Sequence, residues 1–423
     1  MCSCVFVTGR DPQSVRDKEL QVFPGLSRAK ILIHDDSTVT ATILWKTSKA
    51  IFRKGLGCTL LAERSEEDVR AAKHLPLPAP PEINQDSIPW PMGNKTVDSI
   101  SSGLNRAIVD QALDEAFIER DPKHPKNTHS VIALYKNQII AERYADGFDK
   151  NSRFMGWSMT KSITNALVGI LVRQNRLDIE KNAPVPEWKN DGRSKITLNN
   201  LLQASSGLEW SESYFSPTAD FHQMFIKSDD KGRYAASKEL NKEPGTFFQY
   251  SSGSTNLISR IIRQTVGDSA YYVFPFEQLF YKIGMNSMII EPDASGTFVG
   301  SSYSFASARD WARFGLLYLN DGVWNGEQIL PEGWVDYTVT PAPAAEMGKY
   351  GAHWWLNAGD PENTSNRKFP ELTTDAYWAD GFEEQYVMVI PSRQLVIVRL
   401  GVSHHGFDFG KLANGILAAL PKE

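Results

Sequence analysis

Four Ser-x-x-Lys tetrads occur in this chain, at Ser27–Lys30, Ser158–Lys161, Ser228–Lys231 and Ser365–Lys368. A serine hydroxyl becomes a useful nucleophile once a base takes its proton, and a lysine amine can be that base only while neutral. From a reference near 10.4, a lysine pKa must fall by ~3 pH units, at a differential cost of about 4 kcal/mol. Burial in a cleft, beside the positive end of a helix, supplies that. Sequence context singles out one tetrad. Ser158-Met159-Thr160-Lys161 follows Phe154-Met155-Gly156-Trp157 and precedes the apolar run Ile163 to Val172. The hydroxyl then falls in the first turn of a buried helix, with Lys161 three residues on and on the same face. The competing account is that Ser158 merely caps the helix and Lys161 reaches out to water.

Other chemistries find little support. His-Glu-x-x-His, a glycine-rich loop ending in Lys-Ser/Thr and Gly-x-Ser-x-Gly are all absent, and Gly55-Leu56-Gly57 lacks the third glycine of a dinucleotide turn. The pair His404-His405, among eight scattered histidines, has no evident nucleophile partner. Cys2, Cys4 and Cys58 do not have zinc-like spacing. Neither a metal nor an organic cofactor is expected. The cysteines admit two readings: three free thiols, or a disulfide from Cys58 to Cys2 or Cys4 in an oxidising compartment.

The elements that must position Ser158 are legible from periodicity. Leu104, Ile108, Ala112, Leu113, Ala116 and Phe117 recur at helical spacing, predicting an amphipathic helix laid on a sheet. Val131 to Tyr135 and Gln138 to Tyr144 flank Lys136-Asn137 as a two-residue hairpin. Tyr386 to Ile390 and Leu395 to Val402 form a second strand pair, and Phe409 to Leu420 a closing helix. Between them, over about 157–337, helical signals dominate: Ile163 to Arg176, Thr197 to Gln203, Ser254 to Val266 and Ala306 to Leu319. Ahead of all this, Pro76, Pro78, Pro80, Pro81, Pro89 and Pro91 predict an extended connector. Short β-branched runs at Ala29 to Ile33, Val39 to Trp45 and Ala50 to Phe52 predict a small strand-rich module before it. The expectation is an α+β protein: an antiparallel β-sheet flanked by helices, with an inserted all-α subdomain and the site in the cleft between them. Its divisions are a strand-rich extension over 1–74, a connector over 75–95 and the main domain over 96–423.

Composition agrees with a folded chain. Its 423 residues allow two or three structural units at roughly 150 residues each, and hydrophobic residues make up 41%. A net charge of −5 leaves no basic excess for a nucleic-acid backbone, so a small molecule or peptide is the expected partner. The apolar run Ile163 to Val172 is far short of the ~20 residues that cross a bilayer. Neither a basic head nor a long apolar segment precedes Val5, so no leader peptide is expected in this stretch.

An ordered set of motifs resembles the serine β-lactamase-like superfamily, above all class C β-lactamases, related esterases and 6-aminohexanoate-dimer hydrolase. The set is Ser158-x-x-Lys161; Leu201-Leu202-Gln203-Ala204-Ser205-Ser206-Gly207-Leu208-Glu209-Trp210; and Pro244-Gly245 with Tyr250-Ser251-Ser252-Gly253. It continues with Ser307-Ala308-Arg309-Asp310-Trp311-Ala312-Arg313-Phe314-Gly315 and Gly322-Val323-Trp324-Asn325-Gly326. The likeness runs from about Leu104 to Leu420 and implies a β-lactamase/transpeptidase-like fold. It also implies a serine hydrolase, an esterase or amidase working through an acyl-enzyme on Ser158. Lys161 is then the base and Tyr250 the hydroxyl relaying a proton to the leaving group.

The third motif of the resemblance, usually Lys-Thr-Gly or His-x-Gly, falls at Ala379-Asp380-Gly381. It implies an oxyanion hole from the backbone N–H groups of Ser158 and Phe382, each such donor being worth ~3 kcal/mol at the transition state. Gly381 would allow close approach of substrate. Asp380 would repel the carboxylate that β-lactamases hold there. Ser252 stands where β-lactamases commonly carry Asn. Both departures imply weak or no β-lactam turnover. Tyr214, in Trp210-Ser211-Glu212-Ser213-Tyr214, is either a substrate contact, as in the aminohexanoate-oligomer hydrolase, or an aromatic packed on Trp210. A penicillin-binding-like sensor with slow turnover is the alternative function. Finally, Cys4-Val5-Phe6-Val7-Thr8-Gly9-Arg10 and Gly55-Leu56-Gly57-Cys58-Thr59-Leu60 resemble the leader region of bacterial envelope-associated members. That implies a periplasmic location, a disulfide at Cys58, and membrane association only through a segment upstream of this chain.

Overall fold

The computed structural model describes the chain apart from residues 23–24, 35–36, 73–75, 97–102, 361, 364, 404 and 422–423. Among the described residues five helices reach eleven residues: α1 (Arg106–Phe117), α2 (Thr160–Arg173), α3 (Ser252–Val266), α4 (Ala308–Leu319) and α5 (Phe409–Ala419). The chain divides into two compact units. One contains 78–162, 276–288 and 306–423; the other contains 1–77, 163–275 and 289–305.

The unit holding Ser158 is built on a six-stranded antiparallel sheet. Its strands are β1 (Thr128–Tyr135), β2 (Gln138–Tyr144), β3 (Trp355–Leu356), β4 (Tyr377–Gly381), β5 (Gln385–Ile390) and β6 (Leu395–Gly401). Their order is β3-β4-β5-β6-β1-β2, so the two hairpins distant in sequence meet at β6 and β1, with Val396 opposite Leu134. The first hairpin closes through Lys136 and Asn137, both at positive φ, the conformation a two-residue turn demands. Every residue of β1, β5 and β6 is buried, which explains why these strands read as continuous apolar runs rather than alternating ones.

Both faces of the sheet are covered. Trp378, Tyr386, Met388 and Ile397 pack with Val109, Leu113, Leu412 and Ile416 of α1 and α5. On the opposite face lies α4, where a Cβ on Gly315 would stand 2.6 Å from Val396 Cγ1, so glycine permits the helix to lie this close.

The proline-rich connector is gripped by α4. The Arg309 guanidinium takes both oxygens of Glu142 at 2.7 Å and also donates to the Asn94 carbonyl. Arg313 donates to the carbonyls of Pro91 and Gly93 and to Asn94 Oδ1, with its guanidinium 4.6 Å from the centre of the Trp90 ring. Carbonyls that proline-rich sequence keeps out of a sheet are thus satisfied by two arginines.

In the other unit the predicted strand-rich module is a four-stranded antiparallel meander, Lys30–His34, Thr38–Ile43, Lys46–Arg53 and Gly57–Leu61. Cys58, on its last strand, is disulfide-bonded to Cys2, and Cys4 remains a thiol. The carboxylate of Asp229 accepts the backbone N–H groups of Ala62, Glu63 and Arg64, fixing the end of the module. A second carboxyl, Glu291, is buried beside the disulfide; it accepts from Cys58 N at 2.6 Å and from Ser3 Oγ at 3.0 Å.

Burial raises the Glu291 carboxyl to about 8 against an ordinary value of 4.5, outweighing the opposing hydrogen bonds from Cys58 and Ser3. Between these values the folded chain holds a proton that the unfolded chain has released, so this group's stabilisation is complete below pH 4.5 and is lost as pH climbs towards 8. Urea unfolding at a series of pH values should show stability falling across that window. Glu291→Gln, which keeps the shape without the titration, should flatten that part of the profile.

Candidate active site

Ser158 stands at a backbone corner. Trp157 has φ of +47°, a left-handed conformation that costs a non-glycine residue on the order of 1 kcal/mol. Residues Trp157–Met159 then form a single 3-10 turn that runs into α2 at Thr160. Thr160 Oγ1 donates to the Trp157 carbonyl at 2.6 Å and Met159 N to the Gly156 carbonyl at 3.1 Å, locking the corner. Across this turn Lys161 Nζ donates to Ser158 Oγ at 3.0 Å. Lys161 is 2% exposed whereas Ser158 is half-buried, so the amine is closed off while the hydroxyl remains reachable.

The other tetrads do not repeat this arrangement. Lys231 Nζ donates to the backbone carbonyl of Ser228, Lys368 Nζ goes to Asp380, and Lys30 is exposed on a strand. Only a tetrad that opens a long buried helix stacks its lysine on its own serine.

Beneath the turn lies His353, a residue the sequence reading did not single out. Its Nδ1–H donates to the Lys161 carbonyl at 3.0 Å, and Ser162 Oγ donates to the His353 carbonyl at 2.8 Å. Burial drives the imidazole down to about 3, with the adjacent Lys161 charge adding to the effect, so the ring is neutral across physiological pH. It acts as a fixed donor under the first turn of α2. By contrast His405 is exposed, and His404 lies outside the described residues.

The third motif sits against the same turn. A Cβ on Gly381 would overlap the Gly156 carbonyl oxygen, so only glycine lets β4 lie against the Ser158 corner. The next residue, Phe382, meets Trp157 edge-on with ring centroids 5.5 Å apart, which brings the backbones of Ser158 and Phe382 into one neighbourhood. Asp380 points the other way, since alternate residues of a strand face opposite sides. Its carboxylate accepts from Lys368 Nζ at 2.9 Å and Trp378 Nε1 at 3.1 Å, so its charge anchors the strand edge rather than sharing the face of Gly381.

The remaining expected site residues belong to the other unit. The Leu201–Trp210 and Pro244–Gly253 motifs are bound together there. Gly245 N donates to the Ser205 carbonyl and Gln249 N to the Ala204 carbonyl, both at 2.7 Å. Tyr250 is half-buried immediately before α3, which Ser251 caps by accepting from Ser254 N at 3.0 Å. Ser252 is 1% exposed; its amide and hydroxyl both donate to the carboxylate of Glu212, a residue not anticipated from sequence. Tyr214 packs edge-on against Phe221 at 4.8 Å, and its carbonyl accepts from His222 Nε2. Among the described residues, no group of three His, Cys, Asp or Glu side chains is placed to hold a metal ion.

Comparison with known proteins gives a consistent picture. A family model described as Beta-lactamase matches residues 113–420. A 6-aminohexanoate-dimer hydrolase of Paenarthrobacter ureafaciens is 24% identical over 267 residues, which is 56% of this chain and 66% of that protein. A D-aminopeptidase of Brucella anthropi is 22% identical over 194 residues, 43% of this chain and 36% of that one. The matched stretches span under two thirds of either curated relative. Among solved structures, a family VIII carboxylesterase superposes with a TM-score of 0.58 at 15% identity, covering 75% of this chain and 98% of its own.

The contact at Gly381 can be tested directly. Gly381→Ala is expected to destabilise the fold by ~1–3 kcal/mol because β4 or the Gly156 corner must move, and thermal unfolding would read it as a lowered Tm. An unchanged Tm would mean that strand and corner are not in contact.

Proposed function

Because this chain belongs to the Beta-lactamase family, we propose that it is a serine hydrolase that cleaves an ester or amide through an acyl-enzyme on Ser158. One observation carries the reading: a lysine amine closed off from water donates to the hydroxyl of a half-buried serine at 3.0 Å. Removal from water is the condition under which an amine can serve as a base. Lys161 takes the Ser158 proton as Oγ attacks the substrate carbonyl. The oxyanion is held by the N–H groups of Ser158 and Phe382. Tyr250 passes a proton to the departing alcohol or amine. Water then cleaves the acyl-serine ester, and the Ser158 hydroxyl is restored.

The hydrolase names of the two curated relatives and the carboxylesterase support acyl transfer to water as the reaction class. The substrate is a small-molecule or peptide-like ester or amide. β-Lactams are poor candidates, because Ala379 stands where β-lactamases place a cation for the drug carboxylate. The Cys2–Cys58 disulfide supports an extracytoplasmic, periplasmic setting.

A fluorophosphonate probe and activated short-chain esters test the assignment. The wild-type chain is expected to be labelled on Ser158 and to turn the esters over. Ser158→Ala should abolish labelling and lower turnover about 10⁴-fold or more, and Lys161→Met should lower it about 10³-fold or more. Absence of labelling and turnover in folded wild-type protein would overturn the proposal. A stable adduct that never releases would select the slow-turnover sensor instead.

A further inference from the structure

One buried carboxylate at the nucleophile corner has no part in that mechanism. Glu383, only 6% exposed, accepts a hydrogen bond from the indole N–H of Trp157, with Nε1 3.1 Å from Oε2. Its position in the chain is informative at both ends. It follows Phe382, the expected second oxyanion donor, while Trp157 precedes Ser158, the first. The Trp157–Glu383 bond is therefore a strut between the two segments that carry those N–H groups.

The backbone at each end is held in an unusual conformation. Trp157 is left-handed at +47°, and Glu383 and Glu384 are left-handed at +66° and +64°, making the β4–β5 turn. Such residues persist where surrounding contacts over-determine them. For the turn those contacts are visible: Arg399 Nη1 donates to the carbonyls of Glu383 and Glu384, and Gln385 Nε2 to the carbonyls of Phe382 and Glu383. For the Trp157 corner, the Glu383 carboxylate supplies the matching side-chain anchor, alongside the edge-on contact of the indole with Phe382.

We propose that Glu383 is a positioning residue for acyl transfer: by accepting the Trp157 indole N–H it fixes the Ser158 and Phe382 backbone donors in one frame. The inference rests on the hydrolase reading above. Glu383 touches no reacting atom in this scheme; it sets where the donors point, and a small displacement of such donors is costly because they act on charge that develops only in the transition state.

The test pairs Glu383→Ala and Glu383→Gln with Trp157→Phe, which removes the indole N–H and keeps an aromatic ring. Steady-state ester hydrolysis is measured on protein shown to be folded, together with the exchange rate of the Trp157 indole proton. Glu383→Ala and Trp157→Phe are each expected to lower kcat ~10-fold to 100-fold with KM changed less than about 2-fold, because the loss lies in transition-state stabilisation. The double variant should be no worse than either single one. Glu383→Gln, which retains an acceptor, should restore kcat to within about 3-fold of wild type. Indole exchange should be slow in wild type and fast in Glu383→Ala. Wild-type kcat in Trp157→Phe, multiplying losses in the double variant, or fast indole exchange in wild type would overturn the inference. None of these touches the hydrolase assignment, which falls only if folded wild-type protein neither labels nor turns over.

Discussion

An amine that has been taken out of water must be given a reason to stay there, and in this chain the reason is a single helical turn. Lys161 faces Ser158 because the 3-10 turn that carries Ser158 runs straight into the first turn of α2, and that junction is pinned from several sides. Thr160 ties back to Trp157, His353 donates to the Lys161 carbonyl, and Gly381 lets β4 lie against Gly156. The six-stranded sheet holds β4 in place, and its two helical coats keep the sheet dry. Each layer is intelligible as support for the one inside it, and the β-lactamase/transpeptidase-like fold of this family is the outermost of them.

Much of this was legible from residue order alone. The hairpins at Lys136-Asn137 and before Leu395, the closing helix at Phe409 and the helix after Ser158 all carry strong local patterns, and local patterns are what short stretches of sequence encode. The four Ser-x-x-Lys tetrads show both the reach and the limit of that information. Their spacing is identical, and only burial of the following helix decides which lysine meets its serine. The unforeseen residues are those whose meaning depends on partners far along the chain: His353 under Lys161, Glu212 holding Ser252, and Glu383 against Trp157. A lone histidine or glutamate carries no periodicity, so no signal was there to be found. Asp380 likewise acquires partners that its motif does not announce: its carboxylate accepts from Lys368 Nζ and from Trp378 Nε1.

The extension before the main domain reads from sequence as a small strand-rich module followed by an extended proline-rich connector. The structure places residues 1–77 in one compact unit with 163–275 and 289–305, joined by the Asp229 carboxylate and by Glu291 beside the Cys2–Cys58 bond. The polar anchors are carboxylates receiving backbone N–H groups, which lets a strand end dock without requiring a complementary side chain.

The grip of Arg309 and Arg313 on the connector bears on how this chain could be trimmed. Their guanidinium groups lie within a motif inside the family-matched region, yet several of their acceptors, the carbonyls of Pro91, Gly93 and Asn94, lie upstream of it. A fragment cut to the matched region would keep the Asp310 partner of Arg313 but lose the Pro91 and Gly93 carbonyls, Asn94 Oδ1 and the Trp90 ring that cover a guanidinium now 2% exposed. A fragment that keeps the surroundings of Arg313 intact therefore begins before Trp90, ahead of the family-matched region.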